Sequence, residues 1–223
     1  MPTTPPTPKR RKDDMTTQTT LQRCCGTSVG GRIRRTTPQG RVEYALLGRG
    51  WWPIGWAMVA GHAADENQAS PEDALVAETA EELGLAVQSC TPLLTVDLPN
   101  LCQSPPARPV AGHRWTVYDV QVAPGSLLRP DPTETTGAEW ISGEELQRLA
   151  EATIAYARTQ RPARDQHRLT LEAVWVELLA RTGDITVTEA DRQAVARLYT
   201  TPPDTYWTGQ DLVPAHQLAH GGH

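Results

Sequence analysis

The 223-residue chain carries a formal charge of −5, is 39% hydrophobic, and has seven Trp and five Tyr but no Phe. That near-balanced charge points away from a nucleic-acid partner, and no apolar window approaches the length of a membrane span. The length suits one core-bearing domain with extensions, or a domain with a small satellite.

The first segment, residues 1–23, is rich in Pro and Thr, with a basic run at Lys9–Lys12 followed by Asp13 and Asp14. Its composition predicts a disordered, solvated tail, and it lacks the apolar stretch of a secretory signal, so a cytoplasmic location is expected. Order is expected from near Gly26. Residues 26–35 read as a first strand, Pro38–Gly40 as a turn and residues 42–48 as a second strand. Trp51, Trp52 and the segment Gly55–Gly61 then lead into a long loop carrying Gly61 and His62.

Residues 70–85 read as a helix with both ends marked. Ser70 caps the first turn, Pro71 fits the first helical position, Asp73 completes a Ser-x-x-Asp box, and Gly84 supplies a left-handed stop before Leu85. At helical spacing Glu78, Glu81 and Glu82 share one face, while Val76, Thr79, Ala80 and Leu83 form the opposite, packing face. Like charges three and four residues apart repel unless solvent or a cation compensates. Hard divalent cations take oxygen ligands, which makes Mg²⁺ or Mn²⁺ the first chemical interpretation of the trio.

Residues 89–98 read as another strand and 100–112 as a Pro-rich excursion. Over 113–122 the chain alternates: Trp115, Val117, Asp119 and Gln121 point one way, and Thr116, Tyr118, Val120 and Val122 form the expected core face. A second acidic stretch, 131–149, contains a short strand at Glu139–Ile141 and a helix at Glu144–Leu149, with Ser142 as cap and Glu145 at the box position. Residues 171–183 and 188–200 carry helical apolar spacing, the second capped by Thr188.

Cys24, Cys25, Cys90 and Cys102 form no paired CxxC knuckles and suggest no disulfide framework. A structural Zn²⁺ site built from one of Cys24 or Cys25 with Cys102 and His113 is a spacing-based candidate, against reduced, partly buried thiols. The terminal His220 and His223 are expected in a solvated tail.

The segment Glu78, Glu81, Glu82, Gly84, Leu85, with Gly61 upstream, resembles the second half of the Nudix box. The match departs from the family pattern at Ala77, where the family has Arg, at Ala69, where it has the first Glu, and in a longer loop after Gly61. The box Arg and loop Glu brace one another in the family, so their joint absence leaves neither charge without its partner. Asp65, Glu66 and Asn67 are candidates for a replacement.

The resemblance covers about residues 26–150. It implies an α+β fold, a Nudix-type α/β/α sandwich with a mixed sheet, over residues 24–183, followed by a C-terminal helical appendage and flexible tail over 184–223. It also implies Mg²⁺-dependent hydrolysis of a diphosphate linkage in a nucleoside diphosphate derivative, by water attack on phosphorus. Glu78, Glu81 and Glu82 would hold the metal, and Glu82 or Glu134 would accept the proton, with Glu139 as an alternative to Glu134. Gly61, His62, Arg49, Trp52 and Arg114 are the substrate-binding candidates, with Trp51, Trp56 and Tyr118 as further stacking faces. The helices beyond 184 are open to contact with a second subunit. Ala77 and Ala69 support a second reading, a catalytically inactive Nudix-like module that binds a nucleotide or a protein.

Overall fold

A computed structural model describes residues 24–49, 53–63, 69–102, 112–159, 169–201, 205–207 and 212–214. The basic run, Trp51, Trp52, Asp65, Glu66, Asn67, His220 and His223 lie outside the described residues. The strands are β1 (Thr27–Thr36), β2 (Val42–Arg49), β3 (Gly55–Ala57), β4 (Val59–His62), β5 (Val87–Leu98), β6 (His113–Val122), β7 (Ala138–Ser142), β8 (Thr205–Trp207) and β9 (Leu212–Pro214). The described helices are α1 (Pro71–Leu83), α2 (Gly143–Thr159), α3 (Ala173–Thr182) and α4 (Glu189–Thr200).

The fold is α+β with an open mixed sheet, and β1 runs through both halves of it. Its first part lies between β4, antiparallel, and β6, parallel, while its last residues pair antiparallel with β2. One half of the sheet is therefore ordered β4-β1-β6-β5, and β2 carries β3 and β7 in the other. β8 and β9 pair only with each other.

Two adjacent glycines on β1 set the layers. A Cβ at Gly30 would lie 2.7 Å from the Trp175 ring of α3, and one at Gly31 would lie 2.8 Å from Val59 and 3.0 Å from Leu75 of α1. Neighbouring strand residues face opposite ways, so α1 and α3 cover opposite faces of the same strand. Val29 and Ile33, on either side of this pair, are fully buried. At the β1 end a buried ion pair ties the sheet to the close of α3: Arg32 donates to Asp119 at 3.0 Å and to Asp184 at 2.8 Å. Tyr44 and Thr182 also donate to Asp184, so neither charge of the central pair lacks a partner.

Both faces of β6 are buried, rather than one. Trp115 and Val117 are as enclosed as Tyr118 and Val120, because β6 is an interior strand with helices on both sides. The Trp115 ring meets the Trp175 ring edge-on at 6.0 Å. Edge strand β5 alternates more openly, with register shifts between Val87 and Ser89 and between Pro92 and Leu94, where a proline is tolerated. α2 extends well past the expected Leu149, to Thr159, burying Leu146, Leu149, Ala150, Thr153, Ile154 and Ala157. α4 adds Ala194, Val195 and Tyr199 to the same hydrophobic core.

Candidate active site

α1 forms where its caps direct. Ser70 Oγ accepts from the Asp73 N–H at 3.1 Å, Pro71 opens the first turn, and Gly84 ends it at φ +64°, its N–H bonded back to Ala80. The packing seam differs from the expected one. Ala74, Leu75, Thr79 and Leu83 are buried, whereas Val76 and Ala80 are exposed. The buried line 75-79-83 follows the i, i+4 ridge that fits over β1 and β4, with Thr79 returning its hydroxyl to the Leu75 carbonyl at 2.7 Å. That rotation places Glu78 and Glu82 at the edge of the seam, half-buried, and leaves Glu81 exposed.

Gly61 and His62 belong to β4 rather than to a loop. Gly61 pairs with Val29 of β1, and the Glu78 carboxylate sits over it: a Cβ at Gly61 would fall 1.9 Å from Glu78 Oε1. Next along the strand, the Ala60 N–H donates to Glu82 Oε2 at 3.4 Å. Two carboxylates one helical turn apart thus stand against one bare strand. Burial and the Glu78 charge push Glu82 up to about 8, with a further upward contribution from Glu134, while Arg49 and the Ala60 N–H oppose it.

Arg49, at the end of β2, is the cation whose charge opposes the rise at Glu82, and it also stands 3.8 Å from the buried Glu172. Burial holds the Glu172 carboxyl above its ordinary range, and Arg49 pulls it back. Glu172 escaped the sequence reading because it lies inside an apolar run ahead of α3, where nothing in the spacing marks an acid as buried.

Glu134 stands on a turn organised by Asp131, whose side chain accepts from the Thr133 N–H at 2.8 Å and whose carbonyl accepts from Glu134 and Thr135. The segment docks on β2 through Gly48, which exchanges backbone bonds with Thr136 and Gly137. Glu134 is exposed there, and its charge is felt at Glu82. Glu139 is exposed on β7.

The remaining substrate candidates lie elsewhere. Arg114 is exposed on β6 and pairs with Asp97 at 3.3 Å. Tyr118 donates its hydroxyl to Glu72 at 3.0 Å, and burial with that acceptor pushes it up to about 12. Trp56 is half-buried, its backbone bonded to Thr170 and Glu172. His62 is turned away from the carboxylates, with Nε2 3.2 Å from Cys102 Sγ. Trp52 lies outside the described residues.

Across residues 28–161 the chain matches the family model described as the NUDIX domain. The chain belongs to the Nudix family. As a Nudix-family chain it keeps the helix carboxylates Glu78, Glu81 and Glu82 while lacking the box Arg and the first box Glu. Among solved structures it is similar to the NUDIX domain of Shewanella oneidensis NrtR complexed with ADP ribose, at 13% identity and a TM-score of 0.47 over 75% of this chain and 92% of that one. It is also similar to DR0079 from Deinococcus radiodurans, at 18% identity and a TM-score of 0.44 over 78% and 89%. A Caenorhabditis elegans Ap4A hydrolase binary complex matches at 18% identity and a TM-score of 0.43 over 56% and 86%. A comparison with curated proteins gave no match.

Proposed function

We propose that this Nudix protein hydrolyses the diphosphate linkage of a nucleoside diphosphate derivative, with Mg²⁺ held by Glu78, Glu81 and Glu82. The observation that carries the reading is the docking of Glu78 on Gly61 and of Glu82 on the Ala60 N–H, two helix acids converging on one strand. The donor set fits a hard divalent cation: all three groups offer oxygen, and the crowding that drives Glu82 toward its neutral form is relieved by positive charge. When bound, such an ion offsets charge on the diphosphate and lowers the pKa of water.

The protein's own residues divide the remaining work. Glu78 and Glu82 are held by the helix against the strand, so they would present their oxygens to the cation without rearrangement. Glu134, exposed on its docked turn, is the proton acceptor for the attacking water. Arg49, whose charge is felt at Glu82, offsets phosphate charge. The described cysteines are all free thiols, which supports a reducing, cytoplasmic setting.

The test is turnover of a panel of nucleoside triphosphates, nucleotide sugars, dinucleotides and ADP-ribose-type compounds by wild type and Glu82→Gln, with Mg²⁺ or Mn²⁺ and without either. Metal-dependent release of a nucleoside monophosphate by wild type, lost in the variant, is expected. Equal turnover in Glu82→Gln removes Glu82 from the site, and wild-type inactivity throughout favours the binding-module reading.

A further inference from the structure

A second cluster lies apart from the carboxylates. Cys24, His62, Cys102 and His113 each direct one donor atom into the same space, and these four atoms lie within 4.8 Å of one another. Cys24 Sγ is 3.0 Å from His113 Nε2, and Cys102 Sγ is 3.2 Å from His62 Nε2. The two imidazoles stack at 6.1 Å with 14° between their planes. Cys24 and His113 are buried, and the other two are partly covered.

We propose that these four side chains form a structural Zn²⁺ site, Cys₂His₂, that clamps one end of the sheet. Tetrahedral Zn²⁺ with sulfur at about 2.3 Å and nitrogen at about 2.0 Å puts its ligand atoms about 3.3–3.8 Å apart, so the cluster needs only small adjustment to close on an ion. Two thiolates cancel the charge of the metal, which suits a site with buried members. Soft thiolate and imidazole donors select Zn²⁺ over the hard ions that suit Glu78, Glu81 and Glu82.

The surroundings are already arranged for that role. His113 Nδ1 lies 3.0 Å from the Asn100 carbonyl, a partner that keeps the proton on Nδ1 and leaves Nε2 free for metal. Asn100 is itself held, its side-chain oxygen accepting from Trp115 Nε1 at 3.0 Å. The Gly26 N–H donates to Cys24 Sγ at 3.3 Å, a bond that favours the thiolate. Cys25, by contrast, bonds Thr27 and stays outside the group.

The four ligands come from just before β1, the end of β4, just after β5 and the start of β6. In the order β4-β1-β6-β5 these are four consecutive neighbours, and all four donors meet at the same end of the half-sheet. One ion therefore ties together four chain segments that no short motif links. His62 is the residue after Gly61, so the clamp also holds the strand on which Glu78 rests. It does so without touching the reaction.

The test is metal analysis of the untagged full chain purified without chelator, together with a Co²⁺-substituted sample. About one Zn²⁺ per chain is expected, surviving dialysis, with thiolate-to-Co²⁺ charge transfer and tetrahedral ligand-field bands. Cys24→Ser and Cys102→Ser should each lower bound Zn²⁺ about tenfold or more, and Cys25→Ser should leave it unchanged. If the serine variants do not fold, wild-type stoichiometry and the Co²⁺ spectrum carry the decision alone. Folded wild type without Zn²⁺, a Cys24–Cys102 disulfide in its place, or full Zn²⁺ retained in the two variants overturns the proposal. Metal content is read independently of hydrolysis, so failure of the proposed activity leaves this result intact.

Discussion

The Glu78 carboxylate occupies the space that any side chain at Gly61 would need, its Oε1 only 1.9 Å from an ideal Cβ there. The glycine is required for close approach, since β4 itself accepts other residues. Gly61→Ala should therefore push Glu78 off the strand and lower kcat by about a hundredfold, as expected for a metal ligand moved by about an ångström. Thermal unfolding should shift by only a few degrees. Unchanged turnover would show that Glu78 can act from another position.

Glu134→Gln keeps the shape of the turn, because Asp131 organises it through its own side chain and carbonyl. It removes the acid proposed to take the water's proton. We expect kcat to fall by about 10²-fold while KM stays within about twofold. A rise in KM at constant kcat would make Glu134 a binding residue instead.

The elevated Glu82 sets a sign for stability. In buffer without Mg²⁺ the carboxyl titrates near 8 in the folded chain against an ordinary value of 4.5, so the unfolded chain gives up the proton first. Its contribution is then fully present below about pH 4.5 and is lost as pH rises through about 8. The stability of wild type minus that of Glu82→Gln, followed by urea unfolding at a series of pH values, should fall across this window. Added Mg²⁺ should flatten the trend. A difference that rises with pH would reverse the assignment.

Arg32 is buried with two carboxylates, and the Asp184 side chain is even more enclosed. Arg32→Met leaves Asp184 with Tyr44 and Thr182 but without its cation, and should cost about 3 kcal/mol in urea unfolding. A loss below about 0.5 kcal/mol would mean that the methionine packs as well as the ion pair it replaces.

Much of the helix carrying the acids was legible beforehand. Ser70, Pro71, Asp73 and Gly84 each act locally, so their roles can be read without knowing the fold, and the structure gives the same start and stop. The rotation of that helix was not legible, because it depends on the ridge Leu75-Thr79-Leu83 meeting Gly31 and Val59. For the same reason β6 read as one-sided: alternation reports two faces but not that both are covered. Of the thiol cluster, the spacing points to Cys102 and His113 and does not separate Cys24 from Cys25. The sequence puts His62 in the loop with Gly61, since only the antiparallel pairing of β4 on β1 turns it toward Cys102.

The parallel pairing of β1 with β6 also has a kinetic consequence. Arg32 and Asp119, which join these strands, are 87 residues apart in the chain. During synthesis β1 emerges long before its neighbour, and such remote pairings are slow to form. A nascent chain that stops between residues 102 and 113 has both thiols of the cluster and a bare inner strand edge exposed together, which makes that interval the one in which aggregation competes with folding.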